Sequence, residues 1–189
     1  MNRNVSVVPP NLPIPVDDGA CDHLPGALLP SIELAATSGN RVNLAAVPGT
    51  VVLYCYPRTG RPDQALPAGW DQIPGARGCT PQSCSFRDHQ DELLALGARV
   101  FGLSSQTTEY HQEAVARLHL PFELLSDTSL DFARALKLPL LEVDDMVLIK
   151  RVTLIVEDGR IAKVFYPVFP PDRNVDDVLA WLRDRRQTS

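Results

Sequence analysis

Residues 50–56 (TVVLYCY) form the clearest hydrophobic run of the chain, since every position is apolar, β-branched or aromatic. A run without polar alternation is typical of a central strand that is buried on both faces. It ends at Pro57, which cannot donate to a sheet ladder. Before it, residues 31–35 and 41–44 flank a Thr-Ser-Gly-Asn turn at positions 37–40. This pattern predicts a β-hairpin.

After the central strand, helical and strand patterns alternate. Helices are predicted at residues 81–96, 107–118 and 130–136, and strands at residues 98–103 and 122–125. Gly97 is the expected residue just past the first helix. Residues 147–157 and 160–165 flank an Asp-Gly pair, the strongest hairpin signal of the chain. Asn174 is the predicted cap of a final helix.

This order predicts an α/β fold, in which a mixed central sheet is flanked by helices and preceded by an N-terminal hairpin. A thioredoxin-like fold satisfies it. Residues 1–30 contain six prolines and predict an extended arm rather than a packed element. Residues 57–78 are rich in proline and glycine and predict an ordered loop insertion. A length of 189 residues suits one domain, so residues 1–189 are expected to form a single unit.

Composition and charge exclude some functions. The net charge of −5 gives no support for nucleic-acid binding. No run approaches the roughly 20 apolar residues of a membrane span, and the N-terminus lacks the apolar core of a secretory signal. A cytoplasmic location is therefore predicted. Four cysteines in a reducing compartment indicate catalytic or redox roles rather than structural disulfides.

Cys79 is the main candidate for chemistry. It follows a glycine-rich loop and precedes Thr80-Pro81, a typical helix start. Unpaired N–H groups and the helix dipole favour a thiolate there, and Arg77 adds a positive charge. Cys84 stands five positions later. An accessible, reactive thiol with a second thiol nearby is expected to be oxidised and then resolved.

Two placements of this pair stay open. If Thr80 is the N-cap, Cys79 and Cys84 occupy positions N′ and N4, which can approach each other. If Cys79 already lies in the first helical turn, the two are separated by a rise of roughly 7.5 Å and about 140° of rotation. A disulfide needs Cα atoms within about 7 Å, so the helix must then unwind locally.

Arg151, at the start of a predicted strand, is the candidate cation. Its guanidinium could hold a thiolate charged and bind a peroxide oxygen, although a surface strand arginine is an equal alternative. A zinc site formed by Cys79, Cys84 and His89 is disfavoured, because these residues share no common helix face.

The other cysteines and histidines receive structural interpretations. Cys55 is expected to be a core thiol, and Cys21 an incidental thiol in a mobile and exposed segment. His111 and the other histidines are expected at the surface. Trp70 is expected to pack and anchor the long loop, with a substrate-facing wall as the alternative.

Several motifs together resemble one family. They are Tyr54-Cys55-Tyr56-Pro57, Gly78-Cys79-Thr80 followed by Cys84 and by Phe86-Arg87-Asp88, residues 100–104 (VFGLS), residues 120–127 (LPFELLSD) and residues 151–155 (RVTLI). On these residues the chain resembles the peroxiredoxins, and most closely their bacterioferritin-comigratory-protein or Q-type branch. The resemblance covers roughly residues 27–186.

The resemblance implies a thioredoxin-fold, thiol-dependent peroxidase that uses neither metal nor haem. Cys79 matches the peroxidatic cysteine, Cys84 the resolving cysteine of the same chain and Arg151 the active-site arginine, with Gly78 and Thr80 beside the substrate. Implied partners are a hydroperoxide substrate and thioredoxin or a glutaredoxin as reductant. The implied assembly is a monomer or weak homodimer. The alternative function is a peroxide-sensing, thioredoxin-like interaction protein.

The chain departs from the family upstream of Cys79. The family carries Pro and Thr seven and three residues before this cysteine, where Gln72 and Ala76 stand here. Pro57 and Thr59 follow the strand as the family pair would, but an insertion of about twenty residues separates them from Cys79. We expect Thr59 to fold back and supply the hydroxyl that orients the peroxide.

Overall fold

A mixed seven-stranded sheet organises the chain in the computed structural model, which describes residues 7–187. Its strand order is β2-β1-β5-β4-β3-β8-β9, and β6 and β7 pair in a separate small sheet. The strands are β1 (Glu33–Ala36), β2 (Arg41–Asn43), β3 (Thr50–Cys55), β4 (Ala98–Ser104), β5 (Glu123–Ser126), β6 (Leu140–Val143), β7 (Met146–Ile149), β8 (Val152–Glu157) and β9 (Arg160–Phe165).

The centre of the sheet is β3, as its hydrophobic run predicts. It pairs in parallel with β4 and antiparallel with β8, and Val52, Leu53 and Tyr54 are fully buried. Apolar clusters cover both faces of the sheet. The predicted mixed sheet and the hairpin formed by β1 and β2 are confirmed.

Within residues 7–187, five α-helices flank the sheet, and the prediction for the first of them is wrong. They are α1 (Cys79–Asp88), α2 (Gln90–Ala95), α3 (Thr108–Leu118), α4 (Asp131–Ala135) and α5 (Asn174–Gln187). The single helix predicted for residues 81–96 is divided at His89, whose backbone leaves the helical region at φ −109° and ψ 13°. Its ring Nδ1 lies 2.9 Å from the Ser85 carbonyl oxygen, a contact that competes with the helical ladder. Gly97 follows α2 with a positive φ of 76°, as predicted.

The strand predicted for residues 147–157 is also divided. Met146–Ile149 pairs with Leu140–Val143 in the small sheet, whereas Val152–Glu157 joins the main sheet. Lys150 and Arg151 lie between the two strands, where the Lys150 N–H donates to the Pro139 carbonyl oxygen. The break is not visible in the sequence, because the β-branched run continues through it. Sequence periodicity does not show which strand each half of the run pairs with.

The N-terminal arm is only partly what its prolines predict. Residues 7–30 form neither helix nor strand beyond an isolated bridge from Leu28 to Arg160. Cys21, Leu24 and Leu29 are nevertheless buried in the core, so the predicted unpacked arm and exposed Cys21 are wrong for this stretch. Residues 1–6 of the predicted arm lie outside the described residues.

The last helix begins differently from its prediction. A 3-10 turn (Pro171–Arg173) runs directly into α5, so Asn174 is a helical residue and not a cap. The Asn174 side chain points inward and accepts a hydrogen bond from Thr153 Oγ1 at 2.6 Å. Within residues 7–187, no helix is long and apolar enough to cross a membrane.

Candidate active site

Cys79 is the first residue of α1, and Gly78 occupies the N-cap position. Gly78 has a left-handed backbone with φ 103°, a conformation that glycine adopts without steric cost. Thr80 is therefore the second helical residue, and the placement with Thr80 as the N-cap does not apply. The Cys79 sulfur lies at the helix end where unpaired N–H groups and the dipole favour negative charge.

A second constraint keeps position 78 free of a side chain. An added Cβ would overlap Cγ of Pro171, which lies in the 3-10 turn before α5. Ser85 of α1 donates to the Asp172 carbonyl oxygen of the same turn at 2.7 Å. The turn before α5 therefore fixes the start of α1, and with it the position of Cys79.

Cys79 is buried, with 3% of its surface exposed, so the prediction of an accessible thiol is wrong. It faces a narrow cavity of about 10 Å³, which is room for about one water molecule, and this cavity is also lined by Arg58, Gly60, Leu66, Trp70, Arg77, Gly78 and Thr80. Most of these residues belong to the predicted insertion, residues 57–78, whose only regular element is the 3-10 turn Trp70–Gln72. The insertion therefore forms the wall of the cysteine site. Trp70, 3% exposed, is both a packed anchor and part of that wall.

Arg151 lies against the cysteine, which is one of the two interpretations that the sequence left open. Its Nη2 donates to Cys79 Sγ at 3.2 Å and to the carbonyl oxygens of Ala76 and Arg77 at 3.2 and 3.1 Å. The guanidinium is buried, which strengthens its electrostatic effect on the sulfur. The alternative of a surface strand arginine is wrong.

A buried amide network behind Arg151 was not predicted. Arg151 Nη1 donates to Gln82 Oε1, and Gln82 Nε2 donates to Asn174 Oδ1 at 3.1 Å. Thr153 Oγ1 donates to the same Asn174 oxygen. Cys79 and Gln82 are three residues apart, which places both on one face of a helix. This spacing is the sequence feature that could have indicated Gln82 as a neighbour of the cysteine site. The Asn174 and Thr153 contacts join distant parts of the chain, and no local pattern indicates them.

Comparison with known proteins identifies this arrangement. The Redoxin family model matches residues 24–180. Peroxiredoxin Bcp of Bacillus subtilis is 30% identical over 164 residues, which cover 84% of this chain and 94% of that protein. The chain belongs to the peroxiredoxins. It lies in their Q and Bcp branch, a class of thiol peroxidases that act on peroxides.

Other relatives agree with this assignment. Chloroplastic peroxiredoxin Q of Sedum lineare is 30% identical over 162 residues, covering 84% of this chain and 77% of that protein. The chain spans 66% of the longer chloroplastic peroxiredoxin Q of Gentiana triflora, with 26% identity. Among solved structures, peroxidoxin BcpB of Mycobacterium tuberculosis superposes with a TM-score of 0.69 at 24% identity, covering 86% of this chain and 98% of the other. The thioredoxin-like fold is thereby confirmed.

The second cysteine of this peroxiredoxin, Cys84, lies in the same helix and is half-buried. Burial raises the pKa of its thiol, and the charge of Arg87 partly opposes that shift. Both Cys79 and Cys84 are free thiols. Because Cys79 lies in the first helical turn, the second of the two predicted placements applies. Helical geometry keeps the two thiols apart while α1 is intact.

Pro57 and Thr59 lie at the start of the insertion. Both are buried, and Thr59 Oγ1 donates to Gln106 Oε1 at 3.2 Å. The Thr59 N–H donates to the same oxygen at 2.9 Å, while Gln106 Nε2 donates back to the Thr59 carbonyl. Thr59 is not one of the residues that line the cavity at Cys79. Its expected contact with the peroxide stays a prediction.

The remaining cysteines and histidines lie outside the site. Cys55 is fully buried, as predicted, and burial raises its pKa. Burial also raises the pKa of Cys21, to about 12. His111 is fully buried between Ser104 and Ser126, so its predicted surface position is wrong. Within residues 7–187, no three His, Cys, Asp or Glu side chains are grouped closely enough to hold a metal ion.

Proposed function

We propose that this peroxiredoxin reduces hydroperoxides at Cys79 and forms an intramolecular disulfide with Cys84 in each cycle. The contact from Arg151 Nη2 to Cys79 Sγ, 3.2 Å long and buried, is the observation that carries the proposal. A guanidinium at this distance stabilises the thiolate. The N–H groups of the guanidinium that are not already hydrogen-bonded can also stabilise the negative charge that develops on a peroxide oxygen.

In the first step, the Cys79 thiolate attacks the terminal oxygen of the hydroperoxide. The O–O bond breaks, and the sulfur retains that hydroxyl as a sulfenic acid. The second oxygen leaves with the bonding electron pair and takes up a proton, giving water or an alcohol. Gly78 and Thr80, which flank Cys79 at the cavity, are the proposed substrate-binding neighbours. Cys79 is oxidised by two electrons, and the peroxide is reduced by two.

In the second step, α1 unwinds at its N-terminal end and the Cys84 thiolate attacks the sulfenic sulfur. The S–O bond breaks, hydroxide leaves and is protonated, and a Cys79–Cys84 disulfide forms. An external dithiol, thioredoxin or a glutaredoxin, then reduces the disulfide by exchange. Unwinding breaks backbone hydrogen bonds at the start of α1, such as the one from the Gln82 N–H to the Gly78 carbonyl oxygen, so the resolving step has a conformational cost.

Mass spectrometry after one equivalent of hydrogen peroxide tests the resolving role. Wild-type protein should lose two mass units and yield a cross-linked peptide containing Cys79 and Cys84. Cys84→Ser should stop at the sulfenic acid, trapped by dimedone, and lose turnover with thioredoxin. Cys21→Ser, a change of the same kind far from the site, should behave as wild type. Wild-type turnover of Cys84→Ser would show that another thiol resolves the intermediate.

Thr59 and Pro57 are proposed to help place the peroxide, as the family pattern implies. The Thr59 hydroxyl would have to turn from Gln106 toward Cys79 in the substrate complex. Thr59→Ala should then lower kcat/KM for hydrogen peroxide by about tenfold, the effect of losing one hydrogen bond to a developing charge. Thr59→Ser, which keeps the hydroxyl, should retain the wild-type rate. Equal rates for Thr59→Ala and wild type would remove Thr59 from the mechanism.

A steady-state assay with thioredoxin decides between the peroxidase and a peroxide-sensing interaction protein. Sustained turnover with hydrogen peroxide or an organic hydroperoxide supports the enzyme. A single oxidation that thioredoxin and glutaredoxin both fail to reverse supports the sensor.

A further inference from the structure

A second cleft lies at the carboxyl ends of β4 and β5, outside the cysteine cavity. Its volume is about 290 Å³, close to the lower end of the size range of small-molecule sites. Residues 105–107 follow β4 and Thr128 follows β5, so the cleft opens where two parallel strands end. This edge is where α/β sheets commonly bind ligands. The lining residues are Arg58, Ser105, Gln106, Thr107, Tyr110, Thr128, Met146, Val147 and Leu148.

Arg58 gives the cleft its charge. Its Nη1 donates to the Met146 thioether, a weak acceptor, at 3.1 Å, and its Nη2 donates to the Tyr110 hydroxyl at a long 3.5 Å. Its Nε is buried and has no hydrogen-bond partner within residues 7–187. In that part of the chain no carboxylate lies within ion-pair distance of Arg58. A partly desolvated guanidinium without an anion is costly, and a bound anion would offset that cost.

Arg61 also lies near Tyr110 but differs from Arg58 in its charge partners. Both guanidiniums lie near the Tyr110 ring, at 5.8 Å for Arg58 and 5.6 Å for Arg61. Arg61, however, pairs with Asp63 at 3.2 Å and approaches Glu113 at 4.0 Å. Nearby carboxylates therefore neutralise the charge of Arg61, whereas the charge of Arg58 faces the cleft.

The remaining walls indicate what kind of anion fits. Met146, Val147 and Leu148 supply an apolar side, and Ser105, Thr107 and Thr128 supply hydroxyl groups. The carboxylates closest to the lining residues in sequence or strand register are Glu109, exposed in the first turn of α3, Asp127, which accepts hydrogen bonds from the N–H groups of Phe132 and Ala133, and the exposed Glu142 and Asp145, which lie opposite Val147 and beside Met146 in the chain. One cation beside an apolar wall suits a monoanion with an apolar body better than a compact dianion such as phosphate.

We propose that this cleft is a binding site for a small carboxylate with an apolar body, held at its charged end by Arg58. Arg58 also lines the cavity at Cys79, so the two sites share this side chain. Binding in the cleft does not require peroxidase chemistry. The test therefore uses reduced protein without peroxide, and its outcome is independent of the function proposed above.

Methionine-methyl NMR provides a direct readout, because the chain contains only Met1 and Met146. Benzoate should shift the Met146 methyl signal in a saturable way and leave the Met1 signal unchanged. Benzamide has the same shape without the charge and should bind at least about tenfold more weakly, the difference expected for a charge-assisted hydrogen bond. Inorganic phosphate should be weaker than benzoate. Equal affinity for benzoate and benzamide, or no shift at Met146, would overturn the proposal, and tighter binding of phosphate would overturn its carboxylate class.

Two matched variants locate the charge that is responsible. Arg58→Gln should abolish the preference for benzoate over benzamide. Arg61→Gln, the same change at the ion-paired arginine, should preserve it. If both variants keep the preference, Arg58 is not the anion-binding group and the assignment is wrong. Should Arg58→Gln fail to fold, the benzoate and benzamide titrations of the wild-type protein still decide the question.

Discussion

Gln82 joins Arg151 to the rest of the fold, because its side-chain oxygen accepts a hydrogen bond from Arg151 Nη1. The nitrogen of the same amide donates to Asn174 Oδ1 at 3.1 Å, and all three side chains are buried. Arg151 in turn donates to Cys79 Sγ. The amide therefore acts on the reactive sulfur through Arg151 and is a positioning group rather than a catalytic one.

Replacing Gln82 with leucine should leave the guanidinium without its amide acceptor. We expect the second-order rate constant for hydrogen peroxide to fall by about 10- to 100-fold, as when a partner of a charged buried group is removed. Stopped-flow kinetics measures this rate. Gln82→Glu keeps an acceptor for Arg151 and should recover most of it. A Gln82→Leu variant with the wild-type rate constant would show that the amide serves only packing.

Gly78→Ala should lower the free energy of unfolding by more than the loss of glycine's backbone freedom alone would. Gly39→Ala is the matched control, because Gly39 also has a positive φ but nothing lies within 4 Å of its added Cβ. The control should cost about 1–2 kcal/mol of unfolding free energy, the penalty for a left-handed residue with a side chain. Gly78→Ala should cost about 1–3 kcal/mol more, because its Cβ overlaps Pro171. Urea unfolding measures both, and equal losses would show that Pro171 moves aside freely.

Local sequence patterns predicted β3, the hairpins and the position of Cys79 at the start of a helix, because each of these features depends on residues that are close in sequence. The failures share a different cause. Asn174 was assigned as a cap, yet its side chain is held by Thr153 and Gln82, which are distant in sequence. The break before β8 likewise depends on which strand each half meets. Apart from Trp70, the walls of the cysteine cavity could not be predicted, because an irregular insertion has no periodicity.

His111 should make the protein sensitive to mild acid. Burial lowers its pKa to about 4, below its usual value of 6.5. The unfolded chain therefore binds a proton between these values that the folded chain does not, and stability falls as the pH falls through this window. For the full shift, the loss between pH 7 and pH 5 is about 2 kcal/mol. Urea unfolding at the two pH values measures it.

The variant His111→Gln isolates this contribution. Glutamine has a donor and an acceptor for Ser104 and Ser126 but does not titrate, so its loss of stability between pH 7 and pH 5 should be smaller than that of wild type. His23→Gln, at an exposed position, is the control and should follow wild type. If His111→Gln loses as much stability as wild type, other groups carry the acid sensitivity.

Trp70 should report the proposed unwinding of α1, because it is buried in the wall of the cavity that Cys79 faces. The chain has one other tryptophan, so Trp181→Phe leaves Trp70 as the single indole emitter. One equivalent of hydrogen peroxide should shift its fluorescence to longer wavelength as the helix start opens and water reaches the ring. Adding Cys84→Ser should abolish the shift, because oxidation then stops before the disulfide. A disulfide seen by mass spectrometry without any spectral change would mean that the bond forms while the wall around Cys79 stays closed.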